Sequence, residues 1–161
     1  MESDEQIKAH LVSVWRGQKK LFSRSKECMF ILTDRRIVFV TKTKAKSRWW
    51  SATVERQVVT LMKSDEPMLI HDGYDVKDLK LDLENEKNEE YNFDDVISVD
   101  SKEKKWGNIL KLKLRKGSNE KNYQLSIVKD WVTYPIKDPT KFLKINWMPI
   151  VEFIKKHRTV E

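Results

Sequence analysis

A mainly β domain with an amphipathic helix at its C-terminal end is predicted by three stretches of this 161-residue chain. Residues 28–41 hold two apolar runs, Cys28-Met29-Phe30-Ile31-Leu32-Thr33 and Arg36-Ile37-Val38-Phe39-Val40-Thr41, around the polar pair Asp34-Arg35. Residues 96–127 carry three further strand-like runs, and residues 142–154 trace a helical stripe. Antiparallel strands followed by one such helix suggest a partly open barrel plugged by the helix. The length fits one domain over 1–161. Six Trp, six Phe and four Tyr argue against disorder, although 35% of residues are charged.

The elements follow in order. Residues 4–16 read as a short N-terminal helix, because Ile7, Leu11, Val14 and Trp15 recur at helical spacing. Ser3 and Gln6 resemble a capping box, and Gly17 a stop. The barrel spans 28–128. In its first hairpin the two-residue loop sets Leu32 opposite Ile37 and Phe30 opposite Phe39. Both faces of that hairpin are apolar, so something must cover its outer side.

An acidic insertion occupies about 55–95. Residues 49–63 read as a helix with Trp50, Val54, Val58, Leu61 and Met62 on one face, or as a strand across 57–62. Asp78 to Leu83 alternates as a half-buried strand does, and Glu84 to Glu90 reads as a solvated loop. A meander follows: Val96 to Val99, then Ile109 to Leu114 alternating with Lys111 and Lys113, a turn at Gly117-Ser118-Asn119, and Tyr123, Leu125 and Ile127. The last helix is expected over 139–158. Pro149 either kinks it or opens a second segment capped by Asn146.

This order resembles the pleckstrin-homology-like superfamily, in its GRAM and bacterial-PH branches. Phe30 to Val40 is similar to that group's hairpin, and Tyr91-Asn92-Phe93-Asp94-Asp95-Val96-Ile97-Ser98-Val99 to its aromatic–acidic strand entry. The Phe142 to Ile154 helix stands in the matching place. The resemblance implies a fold and a binding module for lipid or protein; fold alone does not fix an activity.

Several chemistries lack their residues. The four glycines, 17, 73, 107 and 117, lie too far apart for a phosphate loop or a dinucleotide fingerprint. His10, His71 and His157 have no second ligand at metal spacing. No nucleophile elbow and no His-Glu-x-x-His motif is present. The expectation is therefore no catalytic residue, no metal and no cofactor. Cys28, alone in an apolar run, reads as a buried hydrophobe. The acidic start and the want of a cysteine framework suggest a cytoplasmic protein, peripheral at the inner membrane surface where it meets lipid.

The net charge of +7 conceals a strong alternation. Residues 7–54 carry twelve bases against two acids, residues 55–100 five against fourteen, and residues 101–161 fifteen against six. The candidate site is a basic–aromatic stretch: Arg35, Arg36, Lys42, Lys44, Lys46, Arg48, Trp49 and Trp50. Bases draw an anionic bilayer and tryptophans sit at headgroup level. In lipid-binding members of the family it resembles, such clusters flank the barrel's open end. The same residues also fit a plain structural role, with the lysines guarding a strand edge and the tryptophans packed beneath. The expected partner is an anionic lipid surface or a protein. Nucleic acid is an alternative, through a basic groove with stacking aromatics, and so is a homo-oligomer that pairs acidic and basic regions.

Overall fold

Phe30 faces Phe39 and Leu32 faces Ile37 across an antiparallel ladder, the register that a two-residue Asp34-Arg35 loop requires. The computed structural model describes residues 5–18, 21–43, 46–64, 66–71, 73–104, 107–127 and 145–158, without the side chains of 18, 21–26, 46–52, 104 and 107. Among the described residues seven strands form one antiparallel sheet: β1 (Ile7–Gln18), β2 (Leu21–Thr33), β3 (Arg36–Val40), β4 (Glu89–Asn92), β5 (Val96–Lys104), β6 (Gly107–Lys116) and β7 (Asn119–Ile127). Their spatial order is β4-β3-β2-β1-β7-β6-β5.

The sheet's two edges, β4 and β5, follow each other in the chain through one 3₁₀ turn, Phe93–Asp95. The sheet must therefore curl back on itself. Lys116 at the end of β6 donates to the Glu90 carbonyl of β4 at 2.6 Å and bridges the open side. One apolar core draws residues from all seven strands. Phe30 and Phe39 lie at its centre, fully buried, with ring centroids 5.6 Å apart. Each contributes roughly 1.5–3 kcal/mol through the apolar surface it buries. Cys28 lies in the same core, and burial pushes its thiol up to about 12.

The expected N-terminal helix is a strand, β1. Its helical spacing is produced by a bulge. Leu11 pairs with Phe30 and Val14 with Cys28, so two residues of β1 oppose one of β2. Ser13 takes the left-handed backbone there, at φ 54°. The extra residue shifts the inward set from Ala9 and Leu11 to Val14 and Arg16, breaking the period of two. Beyond the bulge, β1 pairs with β7 as well, from Val14 to Gln18. Gly17 ends no helix but sits opposite Gln124, and Gln6 bonds in extended chain with Asp34. Ser3 lies outside the described residues.

The outer face of the first hairpin is covered by the insertion, as its apolar pattern required. Val12, Met29, Ile31, Val38 and Val40 form a second cluster with Tyr74 and Leu79. The insertion holds α1 (Lys46–Ser64) and α2 (Val76–Asp82). In α1 the innermost stripe is Thr53, Gln57 and Leu61, with Val54 and Val58 half-buried and Met62 exposed. Met62 thus leaves the face expected of it, because the helix turns a polar side chain, Gln57, towards β1.

The alternating strand expected at 78–83 is instead α2. Asp75 accepts from the N–H groups of Lys77 and Asp78, while Asp78 accepts from the Asp75 N–H, a reciprocal cap that starts a helix. Leu79 is buried and Leu81 is exposed, as the helix's 100° step requires; a strand's alternation would set both on one face. Glu89 and Glu90, expected in a loop, enter β4.

The last helix begins at α3 (Met148–His157). Pro149 sits in its first turn, where a missing N–H costs nothing, and Asn146 Oδ1 accepts from Met148 N at 3.1 Å. Residues 145–147 are not helical, and the rest of the expected span, 139–144, lies outside the described residues. Trp147, Ile150, Val151 and Ile154 close the core.

Candidate functional site

Five chain segments meet at one end of the sheet: the end of β1, the start of β2, the exit from β3, the entry to β4 and the start of β7. Gln18 is paired with both Leu21 and Tyr123, and Phe39 with Glu89, which fixes this convergence. An open depression of about 680 Å³ lies there, lined by Arg16, Glu27, Thr41, Lys42, Glu86, Lys87, Glu89 and Lys121.

Its floor is an ion pair. The bulge at Ser13 turns Arg16 inward, and its side chain is only 8% exposed. Its guanidinium lies 5.2 Å from the Phe39 ring centre and 4.6 Å from that of Tyr123. Arg16 Nη1 stands 3.3 Å from Glu89 Oε2. Glu89 Oε1 accepts from Tyr91 at 2.5 Å and from Tyr123 at 2.8 Å, and Lys121 Nζ is 3.6 Å away. Burial works against the Glu89 carboxylate, but the Tyr91 hydroxyl, the Arg16 charge and the Tyr123 hydroxyl outweigh it and hold its pKa below the usual range. Both tyrosine hydroxyls are pushed up, by burial first. The floor is thus a charge pair in which hydrogen bonds hold Glu89, while Arg16 Nη1 meets it as an ion-pair contact without a hydrogen bond.

The rim is positioned by Asn88. Its Oδ1 accepts from the N–H groups of Thr41 and Lys42, and its Nδ2 donates to the carbonyls of Lys42 and Asp82. One amide side chain therefore ties the exit of β3 to the end of α2 and holds Lys42 beside Lys87. Both lysines are exposed.

Among the described side chains of the predicted basic stretch, Arg35 and Arg36 lie apart from Lys42. Arg36 is spent on acids: its Nε and Nη2 donate to Glu5 at 2.9 and 2.8 Å, and its Nη1 to Glu90 at 3.0 Å. Arg35 is exposed in the hairpin loop. Arg36 opens β3 and Lys42 lies two residues beyond its end, so a strand rising about 3.3 Å per residue separates these two arginines from Lys42. Lys46, Arg48, Trp49 and Trp50 lie in the first turns of α1, a few residues beyond Lys42, with their side chains outside the described part. Lys44 is outside the described residues altogether.

Sequence reasoning passed over Arg16, Lys87, Glu89 and Lys121. Their pairing spans up to 105 positions, from Arg16 to Lys121, and only the fold brings them together. It also missed a buried polar layer under α1. His10 and His71 rings lie 5.3 Å apart, His10 and Tyr74 4.8 Å apart, and the Tyr74 hydroxyl donates to Asp82 at 2.6 Å. Burial, with the neighbouring His71, pushes the His10 imidazole down to about 3. Among the described residues no group of three or more His, Cys, Asp or Glu side chains is placed to hold a metal ion. No helix described is long and apolar enough to cross a membrane. Compared with protein-family models, with curated proteins and with solved structures, the chain finds no match.

Proposed function

We propose that this chain is a non-enzymatic binding module of pleckstrin-homology-like, GRAM-type architecture that docks its Arg16 end on an anionic membrane surface. The fold part of this reading is supported by the strand order, with β1 between β2 and β7, and by α3 packed on the core after the last strand.

The docking part rests on one observation: Lys42, Lys87 and Lys121, from three separate elements, converge on the rim of one depression. The basic start of α1 comes four residues after Lys42 in the chain. Arg36, by contrast, is neutralised at the opposite end. Each rim lysine near an anionic bilayer contributes about 1 kcal/mol. Sedimentation with phosphatidylcholine vesicles carrying phosphatidylserine tests the proposal. The chain should pellet with charged vesicles and not with neutral ones, and Lys42→Glu with Lys87→Glu should release it. Equal association with neutral vesicles, or no effect of that double variant, rules the reading out.

A further inference from the structure

Arg16 lies deepest in the depression and looks like the natural anchor for a phosphate, yet its surroundings already answer its charge. Phe39 and Tyr123 flank the guanidinium, leaving it little freedom to swing outward. Glu89 sits 3.3 Å from Nη1 and is itself held by the hydroxyls of Tyr91 and Tyr123 and by Lys121. A phosphate brought to Arg16 would stand against an ionised carboxylate that cannot turn away without breaking two hydrogen bonds. The cations left to a ligand are the exposed Lys42 and Lys87, compact point charges on flexible stems. Reading one particular phosphorylated headgroup needs aligned, preferably forked donors instead.

We infer that Glu89 is the built-in counter-ion of Arg16. Because of it, this end of the protein answers to the density of negative charge on a bilayer and not to the identity of a phosphorylated headgroup. The inference rests on the membrane docking proposed above and specifies what that docking reads. Glu89 is then the residue that sets selectivity, by occupying from within the place that a headgroup phosphate would take.

The experiment compares two sets of phosphatidylcholine vesicles at matched total charge, one carrying phosphatidylserine and the other a bisphosphorylated phosphatidylinositol. The full chain should bind both with affinities that agree within about twofold. Added salt should weaken both alike, and soluble inositol trisphosphate should displace the chain from neither. Glu89→Gln, which releases Arg16, should raise affinity for inositol trisphosphate by about tenfold or more in calorimetry.

A preference of the wild-type chain above about tenfold for the phosphoinositide, or its displacement by inositol trisphosphate, overturns the inference and leaves membrane docking standing. No gain in a folded Glu89→Gln chain overturns it as well. Failure of the wild-type chain to bind either vesicle overturns both readings. Circular dichroism reports whether Glu89→Gln folds, and where it does not, the wild-type comparison decides alone.

Discussion

Gln57 pairs with Val12 as a neighbouring strand would. Its Oε1 accepts from the Val12 N–H and its Nε2 donates to the Val12 carbonyl, both at 2.7 Å. Among the described residues the edge of β1 before the bulge has no strand beside it, since β7 joins at Val14. A single helix-borne amide, with a bond from His10 N to the Leu69 carbonyl, closes that edge. Asn88 does the same for Lys42 at the exit of β3.

Removing the Gln57 amide strands two buried main-chain groups. Gln57→Leu should cost about 2–6 kcal/mol, one to three for each group left unpaired. Urea denaturation followed by tryptophan fluorescence measures this. A loss below about 1 kcal/mol would mean that water or another donor replaces the amide.

His10 makes stability depend on acid. Its imidazole is wholly buried, and its pKa falls from 6.5 to about 3 on folding. Protons therefore bind the unfolded chain first. The contribution is fully present above pH 6.5 and shrinks as pH falls towards 3, by about 1.4 kcal/mol per pH unit for one group. His71, Tyr74 and Met29 face it, and Asp82 lies beyond Tyr74. His10→Phe should flatten the decline between these limits when urea midpoints are compared across pH. An equally steep decline in the variant would assign the effect to other groups.

Ser13 tests the bulge. A β-branched residue at φ 54° is strained, whereas asparagine tolerates that backbone. Ser13→Val should therefore be less stable than Ser13→Asn by about 1–2 kcal/mol. Both variants lose the Ser13 hydroxyl bond to Glu27, so that loss does not separate them. Equal urea midpoints would show that the bulge relaxes.

Charge reversal at the two ends of the molecule should have unequal effects on vesicle binding. Lys42→Glu with Lys87→Glu removes two attractions of about 1 kcal/mol and adds two repulsions, so affinity should fall by about a hundredfold or more. Arg35→Glu, at the far end of β3, should change it by less than about threefold. Equal losses would place the bound surface elsewhere.

The first hairpin and the meander could be read from the chain because their signals are local. A two-residue turn and period-two apolar runs specify pairing between near neighbours; the hairpin register holds in the structure, and the three meander strands pair in chain order. The last helix was expected from residue 139, and of the two readings open at Pro149 the structure takes a segment start, with Trp147 and not Asn146 in the cap position. β1 and α2 could not be read in this way. A bulge made one strand look helical, and a helix of seven residues carried two leucines in alternation with a third, Leu83, at its C-cap.

The candidate site was still less legible. The basic stretch counted as one group because its residues are adjacent in sequence, but charges are answered through space. Arg36 finds Glu5 at 31 positions' distance and Glu90 at 54, and Arg16 finds Glu89 across most of the barrel sequence. Composition and local pattern were enough for a β-rich domain with an outward apolar hairpin face that needed a cover. Which bases stay open to a partner depends on which carboxylates the folded sheet carries to them. That is a matter of long-range pairing, because Coulomb attraction and hydrogen bonding act over ångströms and take no account of order along the chain.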